Sequence, residues 1–470
     1  MKFTVVSHAG LLVETKDESL LCDPWVIGSC YWRSWWNYPP PPASLIQKLK
    51  PGTIYLTHVH WDHFHGPSLR RFAPDTLMLV PKAHFTRMVD DLAGMGFTRI
   101  QELPHGVSTE ISNGFNVTSY QFGPALDSIL VIESEGRTFV NANDCKMMGR
   151  PLRHLASRHP NVDFVFRSHS SAGPYPWCVT SNFPEQHLRH RSNEDYAAEF
   201  LAFAERLGAK YAIPFASNHC FLHKETRKFN STSVSPVMIK EYFDQHRTTS
   251  SECRVMIPGD IWSDAEGFVT QTHDYFTARD RHIELLAEKH KSTLEMFYAQ
   301  EDRVAPHWPS FQKYFSALLS ALPPLFSRFF PALVIFNPTS PAGRARWLVD
   351  FRKRVVSDRP DPTLVPDVEV TLHANVLRDC CRKRMFSVFT ASKRGQFHLH
   401  TPSALRLYFM FLVLMDAYES GYFPVRLWFR RRFLANWIRR WREILFNAGM
   451  LFSLAFGRGN RLRPVDHIRE

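Results

Sequence analysis

The chain has 470 residues, 44% hydrophobic and 22% charged, which excludes wholesale disorder and allows about three domains. Its formal charge of +12 favours anionic partners without naming one. The eight cysteines form no CxxC pair and no regular framework, which argues against a zinc ribbon or iron–sulfur module and leaves reduced thiols as the default.

The opening MKFTVVSHAG holds no apolar run of signal-peptide length. The longest uninterrupted apolar run, Leu407–Met415, is about half of the ~18–20 residues a membrane-spanning helix needs. A cytoplasmic protein is expected. Residues 1–262 alternate short strand-like runs with helical patterns. Met1–Ser7, Gly10–Glu14, Leu20–Cys22, Ile54–Leu56, Leu77–Val80, Asn116–Tyr120, Ile129–Glu133 and Thr138–Val140 read as strands. His84–Met95 and Asn193–Leu207 read as helices, the second capped by Ser192 and stopped by Gly208.

Residues 263–345 read as a helical connecting region containing Thr277–Tyr298 and the Pro-punctuated apolar segment Leu322–Pro338. Residues 346–424 read as a small α+β unit. It has strand Val368–Leu372, helix Ala374–Arg384, strands Phe386–Thr390 and Gln396–His400, and helix Ser403–Ser420. The tail, 425–470, reads as a basic amphipathic helix. Leu434, Trp437, Ile438, Trp441 and Leu445 share one stripe, and Arg432, Arg439 and Arg442 take other faces. Such a helix either makes peripheral contact with an anionic membrane or a partner, or folds onto its own domain with its arginines solvated.

The chemistry centres on Thr57-His58-Val59-His60-Trp61-Asp62-His63, directly after Ile54–Leu56. His58 and His60 project from one side of an extended chain, and Asp62 and His63 follow where the chain can turn toward a second centre. So dense a polar cluster at a strand end needs a cation to satisfy it. Paired metals ~3.5–4 Å apart polarise a substrate oxygen while a shared hydroxide attacks.

This heptapeptide resembles the HxHxDH signature of the metallo-β-lactamase fold. His8-Ala9-Gly10 and Leu21-Cys22-Asp23-Pro24-Trp25 are similar to the opening of the branch that contains L-ascorbate-6-phosphate lactonase and N-acyl-phosphatidylethanolamine phospholipase D. Phe139–Cys145 resembles the strand that ends in a metal-bridging Asp, here Asp144, and Tyr211–His219 resembles the strand that delivers the last His. The nearest likeness is to the cytidine-monophosphate N-acetylneuraminic acid hydroxylases, on Asp127-Ser128, Asn143-Asp144-Cys145 and Ile213-Pro214-Phe215-Ala216. The CxH pairs of their Rieske domain are missing here.

The resemblance implies an α/β fold: a four-layer αββα metallo-β-lactamase-like sandwich over 1–262, plus a smaller C-terminal α+β domain faintly similar to sterol-carrier-protein-like domains. It implies two divalent metal ions, zinc or iron/manganese. The family's third His has no counterpart in Phe122–Asp127, so Asp127 is the expected substitute, with His84 and His105 as other local candidates. The ligand set becomes His58, His60 and Asp127 on one metal, Asp62, His63 and His219 on the other, and Asp144 between them. Its carboxylates tilt the preference toward iron or manganese. Asp62 is also the candidate proton acceptor. His8 is either a substrate-contacting or supporting residue or a core histidine. His169 and Arg167 are candidates for substrate contact, and Asp23 is expected to orient a ligand histidine.

Trp32, Trp35, Trp36 and Tyr38 form either a lid or a packed loop. The expected activity is a binuclear metal-dependent hydrolase acting on a small anionic substrate (phosphorylated, sugar-nucleotide or lipid-phosphate). The alternative is a di-iron oxygenase with an external electron donor. No added nucleic-acid-binding motif is visible, so no nucleic-acid partner is expected; self-association stays open.

Overall fold

The computed structural model describes residues 1–184, 191–455 and 464–469, and for 451–455 the backbone alone. Two mixed sheets form the N-terminal unit. The first runs Gly267–Val269, Ile261–Ser263, Lys2–Val5, Leu11–Glu14, Ser19–Cys22, Thr53–Tyr55, Leu77–Pro81, Ile100–Leu103. The second runs Glu252–Cys253, Tyr211–Phe215, Phe164–Ser168, Arg137–Asn143, Asp127–Ser134, Phe115–Phe122, Ser108–Ser112.

Alternation along the strands builds the layers. Phe3, Val13, Leu20, Tyr55 and Leu79 meet Val117, Leu130, Phe139, Phe166 and Ile213 between the sheets. The opposite residues of the first sheet, such as Leu12, Leu21, Ile54 and Met78, pack on Met88 and Leu92 of helix Arg87–Gly94. On the far side Val131, Val140 and Val165 receive helices Gly149–Arg158 and Asn193–Arg206. The expected αββα sandwich is therefore present. Helix Asn193–Arg206 starts as read, from a reciprocal capping box between Ser192 and Asp195.

The connecting region is not wholly helical. Ile261–Ser263 and Gly267–Val269 complete the first sheet across the expected boundary at 262. Leu333–Ser340, inside the 263–345 region read as connecting, is an inner strand of the C-terminal sheet, between Val368–His373 and Trp347–Asp350. Helix Trp308–Ala321 packs its Phe311, Tyr314, Phe315 and Leu318 into the C-terminal core. Residues 386–390, read as a strand, form the helix Phe386–Ser392.

The units are joined by shared structure. Strand Val179–Ser181 of the N-terminal unit is the edge strand of the C-terminal sheet, paired with Gly395–Leu399. The tail forms helices Arg431–Arg439 and Trp441–Ala455, which dock on the sandwich. There Asn436 Nδ2 donates to the carbonyl of Lys82 and to Gln121 Oε1, both at 2.8 Å. Arg440 binds the Gly123 carbonyl at 2.9 Å, and Glu443 accepts the Gly123 N–H at 2.9 Å. Among the described residues, no helix is long and apolar enough to cross a membrane.

Candidate metal centre

The site lies at strand ends of both sheets. The chain leaves Thr53–Tyr55 into the ligand loop, Asp127 and Asp144 arrive from the second sheet, and His219 begins the strand His219–Phe221, which pairs with Trp35–Asn37. Three donor groups emerge, each with its ligand atoms within 4.8 Å of one another: His58, His60 and Asp127; His58, His63 and Asp144; His8, Asp62 and His63. The expected ligands other than His219 thus converge, and His8 joins them. His219 lines the same cavity, its ring 5.6 Å from that of His8 and stacked 3.5 Å from Trp35.

Supporting contacts leave lone pairs aimed inward. Asp23 accepts the Thr57 N–H at 2.8 Å and the Thr57 hydroxyl at 2.7 Å. The Thr57 oxygen then accepts from His58 Nδ1 at 2.9 Å, so His58 Nε2 is left unprotonated toward His60 Nδ1, 2.8 Å away. Asp23 also holds His63 Nδ1 at 2.9 Å, turning His63 Nε2 toward Asp144, 3.3 Å away. Asp23 therefore orients a histidine, as expected. Asn143, at φ 48°, donates to the same carboxylate. His8 is clamped by the Asn218 carbonyl at 3.0 Å and faces Asp62 Oδ2 at 3.1 Å.

The charges suit a cation. Burial, with His63 beside it, pushes His58 down to about 4, and burial with His58 does the same to His60. Both imidazoles are neutral at physiological pH and free to ligate. Burial alone would lower His63, but Asp62, Asp23 and Asp144 hold it well above its ordinary value. Burial raises Asp127 to about 6, and Asp144 adds to it. Burial also opposes ionisation of Asp144, yet His63 brings it down to about 2. Converging carboxylates beside the neutral imidazoles of His58 and His60 fit divalent metal ions, which would displace the proton of His63.

The cavity, about 200 Å³, is also lined by Lys146, Ser170–Gly173, Ser217, Tyr31 and Trp35, and by Ser387, Thr390, Ala391 and Asp416 of the C-terminal unit. A larger groove of about 680 Å³ lies against the alternate residues of the ligand loop, Val59, Trp61 and Phe64; its lining includes none of the ligand side chains.

The aromatic segment proves to be a packed loop that still forms part of the cavity wall. Tyr31, Trp32, Trp35, Trp36 and Tyr38 are all buried, and the Tyr31 hydroxyl donates to Asp62. His169 is buried beside the cavity without lining it, held down at about 3 by burial and Lys146. Arg167 points its guanidinium onto Phe203 at 4.5 Å. The cation that does line the cavity is Lys146, 2.5 Å from Ser168 Oγ and lowered to about 8 by burial and Arg167. His84 and His105 are engaged elsewhere, His84 Nε2 by the Ser420 carbonyl at 2.7 Å and His105 Nδ1 by the Gln121 N–H at 2.9 Å. Tyr31, Lys146 and Asp416 are the site residues that sequence reasoning missed. Lys146 alone carried a signal, standing two positions after the bridging Asp144.

No family model matches the chain. A protein named as a Rieske 2Fe-2S iron–sulfur protein from Mycobacterium tuberculosis is 29% identical over 280 residues, 55% of this chain and 53% of that one. Mouse (Mus musculus) cytidine monophosphate-N-acetylneuraminic acid hydroxylase is 26% identical over 215 residues, 44% of this chain and 35% of its own. The chain thus spans about half the length, or less, of these relatives. Among solved structures, a metallo hydrolase from Ignicoccus hospitalis is similar at 15% identity and a TM-score of 0.39, covering 58% of this chain and 98% of its own.

Proposed function

We propose that this protein, a metallo-β-lactamase-like sandwich whose curated relatives agree with placement in that superfamily, is a binuclear metal-dependent hydrolase of small anionic substrates. The observation that carries this reading is the overlap of the donor groups: His58 and His63 each belong to two of them, so adjacent cations would share one cavity. Bound there, divalent ions supply Lewis acidity and an acidified water at neutral pH.

This chain's residues do the rest. His58, His60 and Asp127 would hold one ion, His63, Asp62 and His219 the other, with Asp144 reaching both. Tyr31 and His8 fix the Asp62 carboxylate through Oδ1 and Oδ2 respectively, which orients it to receive a proton from the attacking water. Lys146 and the Ser170–Gly173 segment present a cation and backbone groups to an anionic substituent. Helix Phe386–Ser392 and Asp416 close the opposite wall and limit how large a substrate can enter.

A second reading, an oxygenase with iron in the same ligands and an external electron donor, is favoured by the relatives named as hydroxylases and by Asp127 standing where an imidazole would suit zinc better. Elemental analysis of protein purified without added metal, with turnover assayed in air and under argon, separates the two. Zinc or manganese with oxygen-independent hydrolysis of phosphoesters or lactones supports the first reading. Two irons per chain and strictly oxygen-dependent turnover would replace it with the second.

A further inference from the structure

The tail helices bury three polar side chains together with Phe433 and leave an apolar stripe facing water. Phe433, Asn436, Arg440 and Glu443 are the buried positions, whereas Leu434, Ile438, Trp441 and Leu445 are exposed by 47, 69, 46 and 45%. These exposed side chains recur at i, i+4, i+7 and i+11, one stripe along both helices. The turn just before them adds Phe429, exposed by 78%, and Trp428, exposed by 42%. An uncovered apolar stripe this continuous marks an interaction surface.

Its flanks say what covers it. Arg430, Arg431 and Arg439 are exposed and Arg442 half-buried, Arg431 one turn before Leu434 and Arg442 one turn after Ile438. The only acid between residues 425 and 450, Glu443, is buried and bound by Arg440 at 2.7 Å. The flanking positive charge therefore has no free counter-charge within residues 425–450. Two copies pairing through this stripe would bring like-charged margins together. Tryptophans beside the stripe and arginines at its edges match the apolar, headgroup and phosphate levels of an anionic bilayer surface.

We infer that the stripe from Trp428 to Leu445 is a docking face for anionic lipid bilayers, with the apolar side chains at the acyl boundary and the arginines among the phosphates. The buried face, through Arg440, Glu443 and Asn436, joins this surface to the Gly123 turn that leads into Asp127.

The test floats the full-length, metal-loaded protein through a density gradient with vesicles of phosphatidylcholine alone or mixed with phosphatidylglycerol. Flotation is expected with the mixed vesicles, about tenfold weaker with phosphatidylcholine alone, and lost at high salt. The double variant Ile438→Glu/Trp441→Glu, at solvent-facing positions, is expected to keep the melting temperature and stop floating. Arg439→Gln/Arg442→Gln is expected to weaken the preference for anionic vesicles. Wild-type protein left at the bottom of the gradient with mixed vesicles overturns the inference, as does flotation of the Glu variant equal to wild type. Concentration-dependent dimers that the Glu variant abolishes, without flotation, overturn it in favour of a second copy.

Discussion

Tyr31, Trp32 and Arg33 occupy the left-handed region consecutively, at φ 53°, 54° and 63°. Non-glycine residues there cost about 1–2 kcal/mol each, and here the turn delivers the Tyr31 hydroxyl to Asp62. Tyr31→Phe is therefore expected to weaken metal affinity about 10–100-fold while the fold persists, as read by chelator competition. Asp416 gives a second measurement. Burial, then Glu419 and Asp127, hold its carboxyl up at about 7 against an ordinary 3.8. The native state thus favours the neutral form, and stability falls as pH rises from 3.8 and levels off above about 7. Asp416→Asn is expected to remove that fall, matching wild type below pH 3.8 and exceeding it above about 7 in denaturant midpoints. At this scale the ligand loop was legible because its donors are contiguous. Tyr31 and Asp416 were not, since each sits in an apolar or aromatic segment and acquires its partner only through the fold.

The tail helices hold the turn before Asp127 through buried polar contacts. Arg440→Ala would leave Glu443 buried and unpaired, and is expected to cost about 3–5 kcal/mol in urea unfolding. Gly149 adds a steric constraint: it sits at φ +60°, and a Cβ there would lie 2.4 Å from the Phe446 ring. Gly149→Ala is expected to cost about 1–3 kcal/mol and to speed proteolysis within Trp441–Ala455. Periodicity found the tail helix, but the stripe it marks turns outward. The face turned to the sandwich is instead chosen by Arg440, Glu443 and Asn436, which bind groups more than three hundred residues away. The segment 386–392 failed for a related reason. Its alternation suits a strand, yet the Glu419 carboxylate accepts the Phe386 and Ser387 N–H groups at 2.9 and 3.0 Å and so favours a helix start there. Helix Asn193–Arg206, whose cap is local, was read correctly to within a residue.

At the scale of the whole molecule, one buried ion pair ties three regions together. Glu301, from helix Lys291–Glu301, meets Arg394 at 2.6 Å, and Arg394 also reaches Glu225 at 3.0 Å and the Trp32 carbonyl at 3.3 Å. Burial opposes ionisation of Glu301, but His223 and Arg394 bring it down to about 2 from 4.5. Its stabilisation is complete above 4.5 and is lost as pH falls through about 2. Glu301→Ala is expected to cost about 3–5 kcal/mol near neutral pH and to flatten the acid limb of the unfolding curve. The layered sandwich was visible in advance because each strand pattern is local. The joining of the two units was not, because Val179–Ser181 is a short segment with no mark of the sheet it enters. That segment has a consequence for the cavity. Swinging the C-terminal unit away would either strip Val179, Thr180 and Ser181 from Phe397, His398 and Leu399 or pull their chain along with it. Because Ser170–Gly173, a few residues earlier in the same chain, line the cavity, separating the halves would also disturb the cavity wall.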